Sequence, residues 1–148
     1  MKINHLAMYV TNLEDSREFY TKYFGAVSNS KYHNAKTGLQ TYFLTFEGEV
    51  RLEIMQRPDL REGVKEDLRT GFTHLAFSVG SREEVDRLTE LLNADGYPVI
   101  GKPRVTGDGY YESVVLDNDG NRIEITEQTG KVGKRPHGES DGGLFLRI

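Results

Sequence analysis

Two histidines and two glutamates stand at matching places in this chain. His5 lies in INHLAMYV and His74 in FTHLAFSV; Glu53 lies in RLEIM and Glu124 in RIEIT. His5 leads Glu53 by 48 positions and His74 leads Glu124 by 50, so the chain carries one pattern twice, the signature of an internal repeat. Two imidazoles and two carboxylates form a donor set for a divalent transition metal such as Zn, Ni, Co, Mn or Fe(II), and softness gives no reason to choose Cu(I). Taken singly, a histidine on a strand is more often a hydrogen-bonded structural residue, and a strand glutamate a solvated side chain or half of a cross-strand ion pair. Duplication of all four turns the reading toward ligation. Four protein donors leave two cis positions of an octahedron for water or substrate, as catalysis at a metal requires.

These residues need elements that aim them at one place. Residues 3–10 alternate, with Leu6, Met8 and Val10 on one face and His5, Ala7 and Tyr9 on the other, the period of a strand. Thr11 or Asn12 can cap a helix running to Phe24, closed by Gly25. Residues 27–34, 39–46 and 50–55 then read as strands, which makes the unit βαβββ. The second unit repeats it: a strand over 72–79, a helix opened by a Ser81/Glu84 capping box, and strands over 97–104, 110–116 and 121–126. In RLEIM and RIEIT the apolar Leu52, Ile54, Ile123 and Ile125 belong on the helix-covered face, which turns Glu53 and Glu124 to the opposite one, with His5 and His74. If the two curved sheets join into one cup, all four donors converge on its concave side. Two partly buried carboxylates there would be costly without a cation.

The expected organisation is a first module over 1–56, a charged linker over 57–70, a second module over 71–127 and a Gly- and Lys-rich tail over 128–148 that ends in LFLRI. The net charge of −4 and scattered basic residues exclude a nucleic-acid stripe. The absence of cysteine excludes disulfides, thiolate metal sites and a cysteine nucleophile. The opening residues enter a strand pattern at once, and no apolar run approaches the ~18 residues of a membrane span, so a cytoplasmic protein with no membrane partner is expected. His33 and His137 have no repeat counterpart and read as surface residues; the TGDG sequence at 106–109 reads as a loop before a strand, not a phosphate cradle.

HLAMYV followed by NLEDSREFYTKYFG, then RLEIM, HLAFSV and LDNDGNRIEIT, resembles the vicinal oxygen chelate superfamily, also called the glyoxalase/bleomycin resistance/dioxygenase superfamily, over roughly residues 1–127. The resemblance implies an α+β fold of two βαβββ modules forming a cup-shaped mixed sheet with helices on the outside, around a metal. Its quartet of His, Glu, His, Glu is similar to that of short bacterial glyoxalase I, lactoylglutathione lyase, and implies Ni or Co ahead of Zn, with Mn or Fe as further options. It implies a small-molecule substrate, the thiol adduct of a 2-oxoaldehyde, isomerised through an enediolate to a lactoyl thioester, with Glu124 as base and Glu53 its pseudo-symmetric partner. It also implies a homodimer, because related cups are often built from modules of two chains. The residues that would contact glutathione are not identifiable, which keeps open another thiol, another enzyme of the superfamily (an epimerase, a thiol transferase or a ring-cleaving dioxygenase) and a sequestering protein without turnover.

Overall fold

A computed structural model of the chain describes residues 1–61, 63 and 70–128. Its elements run β1 (His5–Tyr9), α1 (Leu13–Phe24), β2 (Val27–Ser28), β3 (Tyr32–His33), β4 (Gln40–Thr45), β5 (Arg51–Gln56), β6 (Leu75–Ser78), α2 (Arg82–Ala94), β7 (Val99–Val105), β8 (Tyr111–Leu116) and β9 (Arg122–Thr126). Each half forms its own sheet, in the orders β1-β5-β4-β2, with β3 also on β4, and β6-β9-β8-β7. Both sheets are mixed. The first strand of each module runs parallel to the last, β1 with β5 and β6 with β9, and the other pairs are antiparallel. Half of the 57–70 linker, and the tail beyond Gln128 with His137 and LFLRI, lie outside the described residues.

The helices begin and end where their sequences dictate. Asn12 accepts the backbone N–H groups of Glu14 and Asp15, satisfying two donors at the start of α1, and Gly25 closes the helix at φ 66°, a left-handed turn that costs glycine no Cβ clash. Ser81 caps α2 by accepting the Glu84 N–H. The expected capping box is only half built, because the Glu84 carboxylate turns outward to Arg87 at 2.8 Å. The strand expected over 27–34 is broken. Four steps from Ser28 to Tyr32 face three from Leu44 to Thr41, so one surplus residue bulges out between β2 and β3. Asn29 holds that bulge to β4, its side chain accepting the Phe43 N–H and its own N–H donating to the Phe43 carbonyl.

Leu52, Ile54, Ile123 and Ile125 are buried, and Glu53 and Glu124 alternate with them on the other face, as the parity of the two strands requires. The modules share their core. Phe19 of α1 lies 4.9 Å from the Tyr97 ring and Phe24 stacks on Phe77 at 4.4 Å, with Phe46 5.0 Å from the same ring. The turn before β9 fastens this contact: Asp119 accepts the Thr11 N–H at 3.0 Å, and buried Asp117 accepts the Tyr20 hydroxyl at 2.9 Å. Burial and the adjacent Asp117 charge push the Tyr20 hydroxyl far up, so it stays a donor. The sheet faces opposite the helices are left open, with His5, Ala7 and Tyr9 exposed on one and Ala76, Ser78 and Arg122 on the other. No helix among the described residues is long and apolar enough to cross a membrane.

Candidate metal centre

The parallel pairing of β1 with β5 sets His5 opposite Arg51 and Ala7 opposite Glu53, so His5 and Glu53 share the open face of the first sheet one step out of register. Their Nε2 and Oε2 atoms are 3.8 Å apart. In the second module His74 stands just before β6, and its Nε2 lies 3.4 Å from Glu124 Oε2. Both separations exceed a good hydrogen bond and fall below the ~4.2 Å that two donors each ~2.1 Å from one ion can span. The glutamate side chains are 17% exposed and the imidazoles about 40%, so both pairs can be reached from outside.

The other ring nitrogen of each histidine is already engaged. His5 Nδ1 lies 2.8 Å from Asn4 Oδ1, and Arg51 Nη2 donates to the same oxygen at 2.7 Å. An oxygen that takes a guanidinium proton is an acceptor, so Nδ1 carries hydrogen and Nε2 keeps its lone pair for the Glu53 side. The edge of the Phe43 ring, 5.4 Å from the imidazole, and the Arg51 guanidinium over that ring at 4.6 Å complete the support. His74 Nδ1 is held by the Thr73 hydroxyl at 2.8 Å. Sequence reading missed Asn4 and Thr73, although the signal was there: in both copies a side chain able to hydrogen-bond directly precedes the histidine.

The surroundings of the two glutamates differ. Glu124 is pushed above the ordinary carboxylate range, first by burial and then by the charge of neighbouring Glu112, while His74 and Arg104 pull the other way. Glu112 and Glu124 thus stand as two neighbouring carboxylates on this face, an arrangement that a divalent cation would relieve. Glu112 was not singled out from sequence either. It reaches the site because Val114 pairs with Glu124 on the next strand and Glu112 lies two residues away on the same face.

The expectation that all four donors converge is not met within one chain. No group of three or more acidic or imidazole side chains among the described residues could hold a metal, and the donors stay as two pairs. The reason lies in the shared core: the modules meet through α1, Phe46, Phe77 and Tyr97, which leaves each open face with its own pair. His33 is exposed and takes no part.

The uncharacterized protein YqjT of Bacillus subtilis is 30% identical over 130 residues, 83% of this chain and 96% of its own. The glyoxalase family protein from Enterococcus faecalis superposes with a TM-score of 0.70 at 26% identity, covering 85% of this chain and 97% of that one. The trypanothione-dependent glyoxalase I of Leishmania major shares the fold, with a TM-score of 0.68 at 21% identity over 86% of each chain. The model of the Glyoxalase/Bleomycin resistance protein/Dioxygenase superfamily matches residues 2–125, and the chain, with its duplicated βαβββ modules, belongs to that superfamily.

Proposed function

We propose that open faces of two copies of this chain meet, so that His5 and Glu53 of one copy and His74 and Glu124 of the other hold one divalent ion. At the site so formed, the hemithioacetal of a 2-oxoaldehyde and a thiol is isomerised to a 2-hydroxyacyl thioester, lactoyl thioester in the case of methylglyoxal. The observation that carries this reading is the state of each pair: an imidazole with Nδ1 already engaged, its Nε2 facing a carboxylate 3.4–3.8 Å away on an uncovered sheet face. Two protein donors are too few for a stable transition-metal site, and two such pairs supply the four.

The ion, Ni or Co ahead of Zn, Mn or Fe, would polarise the adjacent oxygens of the substrate. The chain's own groups do the rest. His5 and His74 are fixed donors, held by Asn4 and Thr73. Glu124 takes the proton from the carbon bearing the sulfur and returns it to the neighbouring carbon, while the hydroxyl proton passes from the oxygen on the first carbon to the oxygen on the second; one C–H and one O–H bond break, one of each forms, and there is no net redox change. Glu53, flanked by the Phe43 ring on the adjacent strand, is the quieter partner and serves mainly as a ligand. The thiol is open, and the trypanothione dependence of a fold neighbour supports testing thiols beyond glutathione.

Mixing two inactive variants tests the shared site. His5→Ala and His74→Ala chains, unfolded together and refolded with Ni, would form mixed dimers with one doubly damaged site and one intact site. About a quarter of wild-type activity is expected after random pairing. No recovery despite demonstrated subunit exchange would overturn the sharing.

A further inference from the structure

β7 does not run evenly against β8. Its register slips between Val99 and Gly101 and again between Gly101 and Arg104, one surplus residue each time, before Arg104 pairs with Glu112. Paired residues on neighbouring strands face the same side of a sheet, so Arg104 joins Glu112, Val114 and Glu124 on the open face of the second module. There Arg104 Nη2 donates to Glu112 Oε1 at 3.4 Å. The guanidinium also lies across Gly101: a Cβ on that residue would come within 3.2 Å of Arg104 Nη1 and 3.3 Å of Val114 Cβ. Two bulges, a glycine seat and a glutamate anchor thus hold one arginine beside the proposed base.

A cross-strand Arg–Glu pair is ordinarily a surface ion pair worth little. This one is unequal. Glu112 is 13% exposed and Arg104 51%, so the anchor is largely buried and the reader is open. A guanidinium presents five N–H donors in a rigid fork, and the bond to Glu112 engages a single nitrogen. The first module has no counterpart: the strand positions that match Glu112 and Thr126 are Thr41 and Met55, and no arginine–carboxylate pair stands there among the described residues.

We infer that Arg104 is a specificity-determining residue that binds a carboxylate on the thiol-derived arm of the substrate, with Glu112 and Gly101 as its positioning residues. The inference rests on the reading of this open face as the substrate face. It adds the class of molecule that enters, a thiol adduct that carries a negative charge several bonds from the reacting carbon.

Hemithioacetals of methylglyoxal with 3-mercaptopropionate and with 2-mercaptoethanol differ in that charge. For the Ni-loaded wild type, kcat/KM is expected to favour the carboxylate adduct, and Arg104→Gln to reduce the ratio of the two values by about tenfold or more, as the loss of a charge-assisted hydrogen bond predicts. Arg104→Lys should restore part of the ratio, and Gly101→Ala, which pushes the guanidinium off its seat, should lower it. A ratio unchanged by Arg104→Gln, or no preference in the wild type, overturns the assignment. Titration of the Zn-loaded protein with 3-(methylthio)propionate and with its amide, followed at the Arg104 Nε–Hε resonance, asks the same question without turnover. Preference for the carboxylate without isomerisation would sink the lyase reading and leave Arg104 in its role; turnover without that preference would do the reverse.

Discussion

The two modules keep the same donor pair and surround it differently. In the first, His5 and Glu53 sit against one aromatic ring, Phe43, which carries the Arg51 guanidinium on its face, and Arg51 in turn holds the Asn4 oxygen that holds the imidazole. In the second, His74 and Glu124 sit beside a second carboxylate and the arginine anchored to it. One half is braced and the other is charged. On the proposed reading, the duplicated plan keeps the metal donors on both sides, while a single side carries the groups proposed to move protons and read substrate.

The largest test of this division is at the glutamates. Glu124→Gln keeps an oxygen donor and removes the proposed base, so turnover at saturating metal should fall by ~10²–10⁴-fold, the usual contribution of a general acid–base group. Glu53→Gln should cost less. Metal content measured beside the rate separates lost ligation from lost chemistry, and equal losses in the two variants would break the comparison. Next come the residues that hold the imidazoles. Removing such a support typically costs 10–100-fold in metal affinity, so Asn4→Ala and Thr73→Val should each weaken Ni binding by about that factor in competition with a chelator. Asn4→Ala should do the greater harm, since it also strips Arg51 of an acceptor. The smallest expected effect is at the join between modules. Tyr20→Phe leaves buried Asp117 without its hydroxyl donor and should cost about 1–3 kcal/mol in urea denaturation. The modules should still unfold in one transition, because they share the Phe19, Tyr97 and Phe77 packing.

Much of this was legible in the sequence for specific reasons. Alternation along RLEIM and RIEIT fixed the faces of Glu53 and Glu124, since a one-residue slip would have buried both charges. Asn12 and Gly25 marked the ends of α1 by chemistry that acts within one turn. The broken strand at 27–34 was not legible, because whether residues pair depends on the partner strand, and Asn29 finds its partner in Phe43 fourteen residues away. Arg104 and Glu112 read as members of two successive strands of one module; only the double bulge sets them opposite each other. Nor could parity say that the pairs stay apart within a chain. It assigns each residue a face and is silent on how two faces are disposed.

The latch formed by Asp117 and Asp119 bears on synthesis as well as on structure. The amide that precedes the α1 cap and the tyrosine at the middle of that helix find their acceptors 108 and 97 residues later in the chain. When the first module has left the ribosome, the Thr11 amide and the Tyr20 hydroxyl therefore lack these acceptors, and Phe19, Tyr20 and Phe24 face water where the second module will pack. Contacts so distant in sequence close late, after the loop entropy between them has been overcome. The repeat reads as two copies of a unit, yet the first copy must wait for the second before either is finished.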